Sequence, residues 1–353
     1  MISIIIVPIA VVLLAFIMEF FLPDLQAPDI LLGARVKTEF KKEKEGKTIV
    51  LKYRLTLILA AILSLLLTLI NSLFIDIFTP LIFAFLSSMN VVYWRRVVIK
   101  ERGEELPEPT KRYAIISTPQ GKMIYMPLIL AWIVLISTII IGIVYYSSAP
   151  AEIPYHVLSS GKIEYVPKTI IKFFLIDLIA LIPFSLITIF TLISAKTPNI
   201  INPAYPEQSY IAYSKFKESV VILSGVILFI IGTLMTSISF FIWGFLKITY
   251  IPELLVSMVS TIFLLTTIFY FKVGVEGGSY LRNIVVNNEV FNDDKYWKGG
   301  IIYYNPADPR IMVPRRNGFG YTINLGNRTG LLILISLIAI IPTVVVLIIL
   351  LAR

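Results

Sequence analysis

The sequence predicts an all-α polytopic membrane protein of about eight transmembrane helices, with a small cytoplasmic β-meander near the C-terminus. Three observations predict it. Of 353 residues 57% are hydrophobic and only 15% are charged, against about a quarter charged in soluble domains. The apolar residues fall in blocks long enough to cross a bilayer rather than spreading periodically. Before the last block, residues 293–326 are instead dense in aromatic residues, arginine, proline and glycine.

Residues 1–22 form the first span. They carry no basic leading segment and no small-residue cleavage site, so they read as an anchor rather than a signal peptide. Further spans are expected at 55–74, 81–94, 127–146, 169–194, 220–245, 254–271 and 331–351, with residues 76–80 as the break between the second and third. The chain then divides into N-terminal helices with basic loops (1–126), a helix–loop–helix unit (127–194), further helices (195–273), the meander module (274–329) and the last span (330–353).

Orientation follows from arginine and lysine placement. Eight lie in 24–54, seven in 95–126, three in 195–218 and eight in 272–329, which puts 26 of 31 on one side. That side is expected to be the cytoplasm of a cell membrane, with both termini external. The net charge of +9 thereby reads as a topology signal, not as nucleic-acid binding. Anionic membrane lipids suit the same basic loops.

The cytoplasmic loops hold structure of their own. Residues 37–47 mix lysine and glutamate as a solvated helical face, and 101–110 read as an acidic, proline-bearing linker. Residues 113–117 and 122–125 flank Pro119–Gln120–Gly121 as a β-hairpin. In the meander, strand composition falls at 301–304, 310–313 and 321–324. Its turns are read at Asn305–Pro306–Ala307–Asp308–Pro309 and at Asn317–Gly318, the latter as type I′ with both φ positive. A sheet that small is marginal alone. It is expected to pair with the 113–125 hairpin, or else to lie at the interface with Trp297 among the headgroups. Trp297, Arg315 and Arg316 are its candidate binding residues for a cytoplasmic protein partner.

Outside, the one sizeable loop is 147–168, which holds His156, the only histidine. Glu152, His156 and Glu164 are its candidate cation ligands, although without fixed spacing. A hydrogen bond within the loop is the simpler role for His156. Within the membrane, ionisable groups are costly and invite a functional reading. Asp177 sits eight residues into its span, about 12 Å deep, and Lys172 lies about 140° around the helix from it. Its partner is a hydroxyl or amide of another helix, or a proton or ion. The last option defines an alternative function, a small ion- or proton-coupled transporter centred on Asp177.

Other chemistry is excluded or weak. No cysteine is present, which removes disulfides and thiolate chemistry, and one histidine leaves no zinc cluster. Gly318–Phe319–Gly320 lacks the strand–glycine–helix context of a nucleotide site, and Asp293–Asp294 lack the alternating spacing of a calcium loop. No nucleophile–base set falls within a span. The sequence therefore predicts neither an enzyme nor a cofactor. Asn327–Arg328–Thr329 matches a glycosylation acceptor on the side expected to be inside.

Ile153–Pro154–Tyr155–His156, with Gly161 following, resembles the IP-x-H-F-N-x-x-G signature of the SdpI-like membrane proteins, named for immunity proteins against the SDP peptide toxin. Gly33–Ala34–Arg35–Val36 is similar to that family's FGVR element, and Gly274–Val275–Glu276–Gly277–Gly278–Ser279 to its GQGGS element. The stretch from Asp294 to Asn324 resembles an appended domain of unknown function. Leu158 stands where the signature has asparagine. The resemblance implies a multi-pass topology and a binding or sensing protein that meets an external peptide, with toxin immunity or envelope signalling as its role. Pro154, His156 and Gly161 are the loop residues it singles out.

Overall fold

In an apolar solvent every backbone N–H and C=O must be satisfied inside the chain, and a helix does this within one segment. The computed structural model describes residues 2–70, 73–103, 115–116, 121–157, 163–201, 205–247, 251–281 and 292–339, and a helix lies within each expected span over those residues, while 340–351 of the last span fall outside them. In order these are α1 (Ile2–Phe20), α4 (Lys44–Leu67), α5 (Leu73–Glu101), α6 (Met126–Tyr145), α8 (Leu175–Lys196), α9 (Pro206–Ile242), α10 (Ile251–Val273) and α11 (Arg328–Ala339). The short α2 (Leu22–Leu25), α3 (Thr38–Lys42) and α7 (Ile170–Phe173) sit between them. Among the described residues six helices are long and apolar enough to cross a membrane, and α1 and α11 contribute shorter apolar stretches, Pro8–Phe20 and Arg328–Ala339. The break expected at 76–80 is displaced. Pro80 lies inside α5, and the chain turns instead through the 3₁₀ segment Thr68–Ile70.

The chain forms two compact units. The first comprises residues 1–119, 196–219 and 266–332. Here α1, α4 and α5 pack on one another around Tyr53, Leu57, Phe83 and Val91. Polar rungs fix their register: the Tyr53 hydroxyl donates to the Glu19 carbonyl at 2.9 Å, and Trp94 Nε1 donates to Thr56 Oγ1 at 2.9 Å. The loop after α1 carries the two-strand ribbon β1 (Ile30–Leu31) and β2 (Ala34–Arg35). Strand β3 (Ile115–Ile116) pairs antiparallel with β6 (Asn199–Ile200). Of the hairpin expected across 113–125, residues 113–114 and 117–120 lie outside the described residues, and the described parts do not pair: Lys122–Tyr125 is a 3₁₀ turn leading straight into α6. Among the described residues, the composite sheet with the C-terminal module is absent too.

That module is two hairpins rather than a three-stranded meander. β7 (Trp297–Lys298) pairs with β8 (Ile302–Tyr303), and β9 (Met312–Pro314) with β10 (Tyr321–Ile323). A single parallel bridge, Tyr303 to Asn324, joins them. The physical reason is Asn324. Its side chain donates to the carbonyls of Asn305, Asp308 and Arg310 and accepts from the amides of Asn305 and Gly326. Residues 305–310 therefore wrap around one buried amide instead of closing a hairpin. Asn317–Gly318 is not type I′ either. Gly318 and Gly320 have positive φ but Asn317 does not, and Arg315 N donates to Gly320 O at 3.0 Å, so the loop spans 315–320. A two-residue hairpin turn with both φ values positive occurs instead at Leu32 (49°) and Gly33 (78°) between β1 and β2.

The second unit comprises residues 120–195, 220–265 and 333–353. α6, α8 and the C-terminal part of α9 share a core of Leu128, Leu135, Phe184 and Leu228. Small residues permit the approach: a Cβ on Gly225 would stand 2.6 Å from the Leu128 amide nitrogen. After α6, β4 (Glu152–Val157) and β5 (Ile163–Pro167) form an antiparallel ribbon with an irregularity between Pro154 and His156. Ile153 anchors it on Phe173, Ile242 and Trp243.

Candidate functional site

Two adjacent aspartates organise the polar end of the first unit. Asp294 accepts from Arg102 Nη1 at 2.6 Å, from Arg316 Nη1 at 2.8 Å and from the Arg35 amide at 3.2 Å, and Arg95 Nη2 stands 3.6 Å away. Asp293 accepts from Arg35 Nε at 3.0 Å and pairs with Arg316 Nη2. Arg35 also pairs with Asp29, whose other oxygen accepts from the Tyr205 hydroxyl at 3.2 Å. Four arginines, from β2, from α5, from the residue after α5 and from the C-terminal module, thus converge on three aspartates.

Backbone geometry prepares this convergence. Because the β1–β2 turn is tight, the Gly33 carbonyl faces both Arg95 Nε and Arg316 Nη1, at 3.4 Å each. Leu32 holds its positive φ because its amide donates to Gln26 Oε1 at 2.8 Å. The same Gln26 donates to the Arg316 carbonyl at 2.7 Å and to Asn317 Oδ1 at 2.9 Å. One glutamine therefore clamps the loop after α1 to the β9–β10 loop.

A glycine-rich turn closes the group. The 3₁₀ segment Val275–Tyr280 follows α10, and Glu276 within it takes φ 53°, a left-handed conformation that costs a non-glycine residue about 1–3 kcal/mol. Gly278 fits where a Cβ would stand 2.3 Å from the Leu25 carbonyl. Glu276 is buried in the field of Arg316 and Arg35 and brings a fourth carboxylate to the four arginines.

Burial alone would raise the Asp293 carboxyl; the guanidiniums of Arg316 and Arg35 outweigh it and hold the group well below the usual carboxylate range. Asp308 is also held low against burial, by Arg310, which it meets at 2.6 Å. Tyr303 donates to the same carboxylate at 2.9 Å. Paired and hydrogen-bonded on both sides, these buried charges tie elements together with little net gain over apolar packing, yet removing one partner is costly.

The residues expected to bind fall in three places. Arg316 is 1% exposed, central to the ion-pair group, with its guanidinium 5.1 Å above the Trp297 ring. Trp297 is buried against Tyr303 and Val313. Arg315 points outward, and its Nε donates to Tyr321 O at 3.1 Å. Pro154, His156 and Glu164 lie on the β4–β5 ribbon of the second unit, where His156 and Glu164 are cross-strand partners. Glu152 faces Pro167 at the ribbon's far end, and Gly161 lies outside the described residues. No three of these gather as a metal site among the described residues.

Asp177 is 1% exposed on α8. Its Oδ1 accepts from Ser239 Oγ of α9 at 3.1 Å, while Oδ2 has no hydrogen-bond partner among the described residues. One turn above, Trp243 Nε1 donates to the Phe173 carbonyl at 3.0 Å, and the two rings stack at 5.0 Å.

Sequence reasoning passed over Gln26, Asp29, Arg95, Arg102 and Tyr205. It weighed Asp293–Asp294 only as a calcium loop. The available signal was a pair of adjacent acids in a module otherwise rich in arginine, with arginines at 95 and 102 on one helix.

Residues 306–331 match a family of unknown function (DUF5808). The match covers the β9–β10 hairpin, Arg316, Asn324 and the start of α11. No curated protein and no solved structure matches the chain.

Proposed function

We propose that this is a non-enzymatic integral membrane protein that binds and senses, of the SdpI-like kind. On this reading an external peptide meets the 147–168 loop, and a cytoplasmic partner meets the C-terminal module. One observation carries the proposal. Asp294 ties the C-terminal module to Arg95 of α5 and to Arg102 just past its end, α5 being a helix long and apolar enough to cross the membrane. Anything that displaces the module must break buried ion pairs on that helix, so module position and helix position are coupled. In the same unit lie two of the three stretches that resemble SdpI-like proteins, residues 33–36 and 274–279. Peptide-toxin immunity or envelope signalling is the role this supports.

The test is protection. Cells producing the chain are challenged with an SDP-type peptide and compared with cells producing Asp294→Ala at equal membrane abundance. Protection by the parent that the variant loses is the expected result. If the parent gives no protection and the peptide leaves cysteine labelling of the module unchanged, the reading fails.

A second reading is favoured by the unpartnered Oδ2 of Asp177. A carboxylate buried in a helix bundle with half its acceptors unused suits a proton- or ion-coupled transporter.

A further inference from the structure

We infer that the β7–β8 hairpin enters the membrane interface and binds anionic lipid there. The first argument is position along α5. Asp294 meets Arg102. Further on, a Cβ on Gly300 would stand 2.6 Å from Arg95 Cδ, and one on Gly299 would stand 3.3 Å from a Val92 methyl. Arg95 Nη2 also donates to the Asp294 carbonyl at 3.3 Å, so from Asp294 to Gly299 the chain passes from the level of Arg102 and Arg95 to that of Val92, three residues of helix or about 4.5 Å beyond Arg95. It descends towards the apolar middle of the segment Phe78–Glu101. The positive φ of Gly299 (62°) and Gly300 (75°) lets the turn lie flush on α5.

The second argument is the side chains at the tip. Strand alternation sends Trp297 and Tyr303 inward, where they are buried against Val313. The outward set is Ile301 (40% exposed), Ile302 (48%) and Tyr304 (48%), with Lys295 and Lys298 exposed beside them. At the same level of α5, Met89 and Tyr93 are exposed as well. Adjacent isoleucines, a tyrosine and flanking lysines are the composition of an interfacial anchor. The apolar groups enter the acyl boundary and the ammonium groups stay with anionic headgroups. The sequence offered the module's tyrosines and Trp297 for that layer as the alternative to a composite sheet; the structure assigns it to Ile301, Ile302 and Tyr304. The inference does not depend on the sensing proposal.

The chain has no cysteine, so a single probe can be placed cleanly. Ile302→Cys and, as a reference at the exposed Ala307 of the Asn305–Asp308 turn, Ala307→Cys each carry an environment-sensitive fluorophore in nanodiscs that contain headgroup-level spin-labelled lipid. Quenching at 302 is expected to exceed that at 307 by about twofold or more. It should rise when anionic lipid replaces neutral lipid, and Lys295→Gln with Lys298→Gln should remove that rise. Ile301→Cys serves as the second probe site if Ile302→Cys folds poorly. Equal quenching at the tip and at 307 overturns the insertion. Quenching that ignores lipid charge overturns the anionic preference.

Discussion

Asp294 gathers Arg102, Arg316, Arg95 and the Arg35 amide at one carboxylate. Asp294→Ala leaves Arg102 and Arg95 without their paired carboxylate and Arg316 with Asp293 alone, and about 3–5 kcal/mol of stability should be lost. Thermal unfolding in detergent, parent against variant, measures it. A variant as stable as the parent would mean that water or lipid already compensates the arginines. Asp293 makes a pH prediction with a definite sign. Its folded pKa is depressed, burial being outweighed by Arg316 and Arg35. Its contribution is therefore complete above the unfolded carboxylate value, about 3.9. It is lost as pH falls below that value towards the folded one. Melting temperature should drop with acid below about pH 4, and Asp293→Asn should show a shallower acid limb. Identical limbs would remove Asp293 from the explanation.

At the scale of elements, the β9–β10 loop offers the sharpest substitution. Gly318 has φ 85° with no heavy atom within 4 Å of an added Cβ, so only backbone strain opposes a side chain there. Gly318→Val should cost about 1–3 kcal/mol. Limited proteolysis should then cut residues 293–326 faster while the helices stay intact. Equal cutting rates would show that the clamp from Gln26 to Arg316 and Asn317, not the turn, holds the loop. The α8–α9 contact gives a second case. Asp177→Asn keeps an acceptor for Ser239, whereas Asp177→Leu removes a bond worth roughly 0.6–2 kcal/mol between membrane helices. If Asp177 is a transport site, Asp177→Asn should abolish proton or ion flux in vesicles at unchanged stability. Unchanged flux in that variant sinks the transporter reading.

For the whole molecule, the bias of 26 basic residues of 31 to one side predicts which surfaces an impermeant maleimide reaches in intact cells. Glu152→Cys should label and Ala307→Cys should not. The reverse pattern would invert the orientation. Asn327 gives an independent check. It caps α11 through Gly330 N at 3.2 Å and donates to Pro309 O at 2.9 Å, so both side-chain atoms are in use and no glycan is expected.

The helices were legible in the sequence because they are one-dimensional. Each apolar run satisfies its backbone internally, and run length against bilayer thickness decides the rest. Arg316 and Trp297 could be picked out as unusual residues, and Asp177 as an acid in an apolar run, but not what each touches. Local turn chemistry misled where a distant side chain took over. Asn317 accepts from Gln26, 291 residues away, and gives up the turn its own sequence favours. Leu32 takes a left-handed φ, and the Gln26 side chain accepts its amide. Asn324 draws residues 305–310 around itself and prevents the meander. Only tertiary structure decided the ion-pair group, because its members are contributed by residues 29–35, 95–102, 205 and 293–316. Long-range Coulomb pairing of buried charges leaves no periodic trace along a chain, whereas transfer of apolar surface out of water does.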